Sequence, residues 1–236
     1  MLFTKEDKDK ILELLPHLDY SGALCPFSTK ADVIEACNEV KKYGFATVCV
    51  YPTWVKFAAE QMKGSKSRIL VTIGFPHGST TTETKVTETR KVLEDGGTEI
   101  DMVINIARML EGDYDYVRDD IAAVVKTAAE FGVGVKAIIE AGYLNDDQKV
   151  KACELAVEAG AQFVKSCTGY GPGKATVHDI SLMKQTVGDR CLVKASGGVG
   201  SLEDAWIFVK ECGAERAAGR QHFVEQLKRL GIAEGE

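Results

Sequence analysis

Eight strand–helix units within 236 residues predict a single-domain α/β protein, a (β/α)8 TIM barrel. Three observations carry this prediction. Short apolar, β-forming runs alternate with helical stretches along the whole chain. The strand runs are almost continuously apolar, as parallel strands covered on both faces are. The length suits one barrel spanning residues 1–236, and no linker or low-complexity segment divides it. The rival fold, an open doubly wound sheet, usually carries a glycine-rich turn after its first strand. Ser21-Gly22-Ala23 is a poor version of that turn.

Taken in order, strands are expected at 17–21, 45–51, 68–75, 99–106, 133–140, 163–168, 191–196 and 214–218. Helices are expected at 29–43, 53–62, 81–94, 114–131, 146–159, 177–187, 202–211 and 221–230. Several helices open on a capping residue with an acid or amide three places on. These are Thr29 with Asp32, Thr80 with Glu83, Asn145 with Gln148, Thr176 with Asp179 and Ser201 with Asp204. Gly44, Gly132, Gly160, Gly188 and Gly213 close helices, since glycine takes the left-handed conformation that ends them.

Composition narrows the function. A 45% hydrophobic content suffices for a full core, and a net charge of −6 argues against a nucleic-acid partner. Residues 1–10 are charged, unlike a signal peptide, and no run approaches the roughly 20 apolar residues of a membrane helix. The seven cysteines are scattered without a Cys-x-x-Cys pair, which fits reduced thiols in the cytoplasm. His17, His77, His178 and His222 lie far apart, so no metal-ligand cluster is visible and no metal is expected. Phosphate-cradling P-loops and Gly-x-Ser-x-Gly elbows are missing as well.

Three successive strands each carry one lysine amid apolar neighbours. Lys136 lies in Gly134-Val135-Lys136-Ala137-Ile138-Ile139-Glu140. Lys165 lies in Phe163-Val164-Lys165-Ser166-Cys167-Thr168-Gly169, and Lys194 in Cys191-Leu192-Val193-Lys194-Ala195-Ser196-Gly197-Gly198. One such lysine would suit a surface strand, but burying an ammonium without partners is costly, and the pattern repeats. Alternation puts Phe163, Lys165 and Cys167 on one face. In Glu99-Ile100-Asp101-Met102-Val103-Ile104-Asn105 it puts Asp101, Val103 and Asn105 on one face, and the apolar flanks of Asp101 argue against exposure. A buried carboxylate near two buried lysines forms a charge-compensated set of the kind found at functional sites. Two adjacent ammonium groups repel, and burial adds desolvation; both lower a lysine pKa. A neutral lysine attacks carbonyls, its charged neighbour stabilises a developing oxyanion, and an acid moves protons. The residues therefore point to Schiff-base chemistry without a cofactor.

The segment Phe163–Lys165 with Ser166-Cys167-Thr168-Gly169-Tyr170-Gly171-Pro172-Gly173 resembles the Schiff-base segment of the deoxyribose-phosphate aldolases. Val193-Lys194-Ala195-Ser196-Gly197-Gly198-Val199 resembles their second lysine motif, and the strand of Asp101 their acidic strand. Gly74-Phe75-Pro76-His77-Gly78 and Val48-Cys49-Val50-Tyr51-Pro52 also fit, so the likeness runs from about residue 19 to about residue 213. The resemblance implies a (β/α)8 class I aldolase. It would split 2-deoxy-D-ribose 5-phosphate reversibly into acetaldehyde and D-glyceraldehyde 3-phosphate. It implies Lys165 as nucleophile, Lys194 as the lysine that perturbs it, and Asp101 as proton relay. Lys136 matches a family lysine on the fifth strand and is expected to pair with Asp101 or Glu140. Thr168, Gly169, Gly171, Gly197 and Gly198 fall in the turns that hold substrate and its phosphate. Asn105 either touches substrate or satisfies strand-end groups. Cys49 is counted with the substrate-binding set but reads as a small core side chain, and Cys167 reads as packing. The Phe75-Pro76-His77-Gly78 turn is expected to shape the rim.

Three places depart from the family pattern. After the eighth strand the family usually reads Arg-Ile-Gly-Thr-Ser; here Arg216-Ala217-Ala218-Gly219-Arg220 lacks the hydroxyls, and Arg220 is the candidate replacement for phosphate contact. Leu24-Cys25-Pro26 stands where the family often has Lys or Asn before a Pro. The tail, 231–236, lacks the terminal tyrosine of some members. Expected partners are small aldehydes and sugar phosphates, with a homodimer as the assembly. Two alternatives stay open: the same chemistry on a different or unphosphorylated aldehyde, and a sugar-phosphate-binding barrel without catalysis.

Overall fold

The computed structural model describes residues 2–232. Eight parallel strands close into a barrel in chain order, with β8 pairing back to β1. They are β1 Leu18–Tyr20, β2 Thr47–Val50, β3 Arg68–Ile73, β4 Glu99–Val103, β5 Val135–Ile138, β6 Phe163–Lys165, β7 Leu192–Ala195 and β8 Arg216–Gly219. Each expected strand forms, but most are shorter than the apolar run that predicts them. β6 is the clearest case: pairing ends at Lys165, so 166–168 enter the rim instead of extending the strand. The simple alternation therefore stops there. Cys167 packs in the main hydrophobic core, and not on the inward face with Lys165.

The helices are α1 Lys8–Leu14, α2 Lys30–Tyr43, α3 Val55–Gln61, α4 Thr82–Glu94, α5 Ile106–Glu111, α6 Tyr114–Ala129, α7 Asp146–Glu158, α8 Val177–Val187, α9 Leu202–Trp206 and α10 Gln221–Leu230. Side-chain caps sit where expected at Thr29, Asn145, Thr176 and Ser201. At α4 the cap is Thr81, whose hydroxyl accepts from Thr84 N, and not Thr80, because the helix starts one residue later. α1 and α5 have no counterpart in the sequence reading; both are under three turns, too short for a helical period to declare itself. The helix expected at 202–211 changes to π geometry over Ile207–Glu211.

Apolar outward faces of the strands pack against the helices. Val48, Val71, Ile100, Val164 and Val193 share one cluster with Val33, Ile121, Ile180 and Leu227. A separate, smaller cluster of Leu24, Cys49 and Leu70, with Tyr51 and Phe75 against it, lies at the mouth. Between α4 and α6, Lys85 Nζ meets Asp120 Oδ2 at 2.5 Å and donates to Val103 O at 2.9 Å, with both side chains fully buried. Burial pushes this ammonium below its ordinary range, and Asp120 offsets only part of that. Asp120→Ala would strand a buried cation, so it should lower unfolding free energy by about 3–5 kcal/mol in a denaturant titration. Unchanged stability would mean that the pair contributes nothing.

Candidate active site

Strand register creates the site. Lys165 and Lys194 are direct partners across β6 and β7, so their side chains leave the sheet side by side. Asp101 is the partner of Lys136 across β4 and β5. Inside the barrel, Asp101 Oδ2 accepts from Lys165 Nζ at 2.7 Å and from Lys194 Nζ at 2.8 Å. Lys194 also meets Asp19 Oδ2 at 2.7 Å. One layer below, Lys136 pairs with Glu99 and lies 3.7 Å from Asp101 Oδ1. Arg216 reaches Asp19 Oδ1 at 3.4 Å, and Thr47 donates to the same oxygen at 2.9 Å. All these charged groups are buried.

The network sorts the two lysines. Burial pushes the Lys165 ammonium below the ordinary lysine range; Asp101 opposes the shift, while the Lys194 charge adds to it. Burial acts on Lys194 in the same direction, but Asp101 and Asp19 together override it and hold Lys194 above that range. Burial would raise the pKa of Asp101, yet Lys165, Lys194 and Lys136 hold it well below the carboxylate range. Charge counting agrees. Among the buried groups, Asp19, Glu99 and Asp101 face Lys136, Lys165, Lys194 and Arg216, one cation too many for a balanced interior, and the exposed Arg68 also meets Glu99 Oε1 at 2.9 Å. Buried net charge is costly, and neutral Lys165 removes it.

Lys165 opens onto a cavity of about 260 Å³ at the carboxyl ends of the strands. Thr168, Gly169, Gly197, Gly198 and Arg220 line it, as do Ser21, Leu24, Ser196 and His222. Gly169, Gly197 and Gly198 have φ of +83°, +85° and +70°, a backbone that glycine adopts without strain. A Cβ on Gly197 would stand 2.7 Å from that of Cys167. Arg220 caps α10 and stays at the mouth, its guanidinium 5.6 Å over the Tyr170 ring and Nη1 3.8 Å from Cys25 Sγ. Leu24 bears on Cys49 and Leu70 from above, and its carbonyl accepts from the Tyr170 hydroxyl at 2.8 Å.

Other residues expected to meet substrate lie elsewhere. Lys136 is under Asp101 and is not among the lining residues; it pairs with Glu99 and Asp101, not with Glu140. Asn105 caps α5 by accepting from Arg108 N at 3.2 Å, which uses its side chain at the strand end. Cys49 is buried in the mouth cluster, where desolvation pushes its thiol up to about 11. Gly171 sits against Glu140: a Cβ there would come within 2.8 Å of its carboxyl carbon. Pro76 and His77 border a neighbouring cleft with Glu140 and Gly171.

Sequence alone does not single out Asp19, Glu99, Arg216, Ser21, Ser196 or His222 as site residues, and it offers Glu140 as a partner of Lys136 where the structure gives it to Thr168. Asp19 had a signal, an acid between apolar Leu18 and Tyr20, the same that singled out Asp101. Glu99 and Arg216 begin their strands, where charges usually meet solvent.

Known proteins resemble this chain throughout. A family model described as DeoC/LacD family aldolase matches residues 15–224. A deoxyribose-phosphate aldolase of Thermococcus gammatolerans is 50% identical over 207 residues, 87% of this chain and 91% of that protein. One from Caldanaerobacter subterraneus is 43% identical over 235 residues, 98% of this chain and 100% of its own length. Among solved structures, the tetrameric deoxyribose phosphate aldolase from Aeropyrum pernix superposes with a TM-score of 0.85 at 26% identity. That match covers 96% of this chain and 97% of the other. A closed parallel barrel, lysines paired on adjacent strands and a family match over nearly the whole chain lead to one conclusion: the chain belongs to the DeoC/LacD family of aldolases.

Proposed function

We propose that this chain is a class I aldolase that cleaves 2-deoxy-D-ribose 5-phosphate reversibly to acetaldehyde and D-glyceraldehyde 3-phosphate. The observation that carries the reading is Lys165, buried at the floor of the cavity and bridged by one Asp101 oxygen to a lysine held charged. The relatives named deoxyribose-phosphate aldolase supply the substrate.

Neutral Lys165 Nζ attacks the C1 aldehyde of the open-chain sugar. The resulting carbinolamine loses water to give an iminium. The C2–C3 bond then breaks. Its electrons move into the iminium to form an enamine, and the C3 hydroxyl gives up its proton as D-glyceraldehyde 3-phosphate forms. Protonation of the enamine at C2 and hydrolysis release acetaldehyde and restore Lys165. Asp101 Oδ2 bonds both lysine nitrogens, so a proton leaving Lys165 has an acceptor that already bonds Lys194. Resting Asp101 is strongly ionised, which suits acceptance and brief transfer better than storage of a proton. Lys136 supports the network from below, one layer away from substrate.

For the phosphate we assign Gly198, Gly219, Arg220 and the first turn of α10. A helix amino end and an arginine favour an anion there. Turnover of the phosphorylated sugar beside unphosphorylated 2-deoxyribose tests the whole reading. We expect preference for phosphate, and Arg220→Ala to raise KM for the phosphorylated sugar about tenfold or more while leaving that for the free sugar nearly unchanged. A strong preference that survives Arg220→Ala would place phosphate on the backbone amides alone. No aldehyde release from either sugar would overturn the aldolase assignment.

We take 1–236 as one functional unit; residue 1 and 233–236 of the tail lie outside the described residues. All seven cysteines carry free thiols, which supports a reducing compartment such as the cytoplasm. No helix among the described residues is long and apolar enough to cross a membrane. A homodimer remains our reading of the assembly, with exposed Phe27 and Val177 as available apolar surface. The Aeropyrum pernix relative is tetrameric, and a solution mass decides between the two.

A further inference from the structure

Glu140 takes no part in the lysine network, yet it is buried and strained at the end of β5. Its φ of +50° is the only positive value among the described non-glycine residues. Left-handed backbone at such a residue costs energy and persists where the surroundings hold it. Its Oε2 accepts from Thr168 N at 3.1 Å and from the Thr168 hydroxyl, while its Oε1 has no hydrogen-bond partner among the described residues. The Thr168 hydroxyl oxygen in turn accepts from Tyr170 N at 3.0 Å. The Tyr170 hydroxyl reaches Leu24 O, and Arg220 lies over its ring. Hydrogen bonds thus run from Glu140, just past β5, through 168–170 to the Leu24 loop, and a cation–π contact joins Tyr170 to Arg220 in the other loop whose sequence departs from the family pattern.

The packing around the carboxylate is equally specific. Gly171 leaves room for it, as any Cβ would strike it. The same two loops touch again at Gly142 and Gly173, where a Cβ on Gly142 would stand 2.4 Å from Gly173 N. The loop after β6 is therefore clamped onto the loop after β5, with the Glu140 carboxylate as the anchor.

We propose that Glu140 is a positioning residue for the sugar-phosphate half of the site: it fixes Thr168 and, through it, sets Tyr170 beneath Arg220 and against Leu24. This rests on the aldolase reading above. Glu140 never touches the reacting carbon, and it acts on the grip around the distal end of the substrate.

The test compares Glu140→Gln, Thr168→Val, Thr168→Ser and the Glu140→Gln/Thr168→Val double variant, each with an unfolding curve. Glu140→Gln should lower kcat/KM for 2-deoxyribose 5-phosphate by about 10- to 100-fold, mostly through KM, the scale of a lost charge-assisted hydrogen bond. The rate at which acetaldehyde and borohydride label Lys165 should stay within about twofold, because a two-carbon aldehyde does not use the clamp. Thr168→Ser should restore activity, and the double variant should be no worse than the poorer single one, as expected of residues acting as a unit. Gly171→Ala pushes on the carboxylate from the opposite side, so it should reproduce the KM effect even where Glu140→Gln folds poorly. Equal losses in labelling and turnover, full additivity, or unchanged KM in Glu140→Gln and Gly171→Ala would overturn the proposal. A wild-type protein that labels and cleaves nothing would instead overturn the aldolase reading, and this inference with it.

Discussion

Lys165→Met should abolish sugar-phosphate cleavage, lowering kcat by at least about four orders of magnitude, the scale on which enzymes register a lost nucleophile. Its stability should be unchanged or higher. Neutral Lys165 already leaves Lys136, Lys194 and Arg216 against Asp19, Glu99 and Asp101, so the substitution leaves that balance unchanged and removes the cost of burying an amine, while methionine fills much of the same volume. Turnover and a denaturant curve on the same sample check both halves. With wild type, acetaldehyde and borohydride should place a stable adduct on Lys165, read by peptide mapping. An adduct on Lys194 or Lys136 in active protein would move the nucleophile and the proposed mechanism with it.

Lys194→Leu should shift the pH–rate profile toward alkali. Lys165 has a lowered pKa, so the reactive neutral form increases as pH rises through that value. Removing Lys194 raises the value in two ways. The repelling charge disappears, and Asp101, relieved of one partner, acts more fully on Lys165. Both changes act on a buried group, where charge–charge interactions are weakly screened, so they raise the Lys165 value together. Activity near pH 7 should therefore fall by orders of magnitude and partly return in alkali. Asp101→Asn shifts the nucleophile the other way, since an attracting anion is lost, and it should lower kcat at every pH by removing the proton acceptor. A profile that does not move in Lys194→Leu would refute the electrostatic role of that lysine.

Much of this was legible without coordinates, because the deciding signals are local. The apolar runs with their caps and glycine stops define eight strand–helix units, and parallel pairing of such units closes a barrel. Lys165, Lys194 and Asp101 stand out because a charge amid apolar strand residues needs a partner, whatever its identity. Alternation set Lys165 on one face with Cys167 and Asp101 on one face with Asn105, and it failed where the strands end: Cys167 turns to the helix layer and Asn105 caps α5.

What the fold alone decided concerns pairing over long sequence distances. Which acid answers which lysine depends on strand register and barrel closure, so Asp19 became the second partner of Lys194 through neighbours that meet only when β8 closes on β1. The same closure turned Arg216, Glu99 and Lys136 into a layer beneath the site, although two of them begin strands where solvent is the usual expectation. Asn105 and Gly171 carried residue types suited to binding, yet one caps a helix too short to be periodic and the other makes room for Glu140. Glu140 left no mark in the local pattern, because its strain and its hold on Thr168 exist only once two loops meet. Sequence by itself determined which residues are chemically out of place in a strand. Tertiary structure determined whom they meet, since charge pairing is set by distance in space and apolar periodicity by distance along the chain.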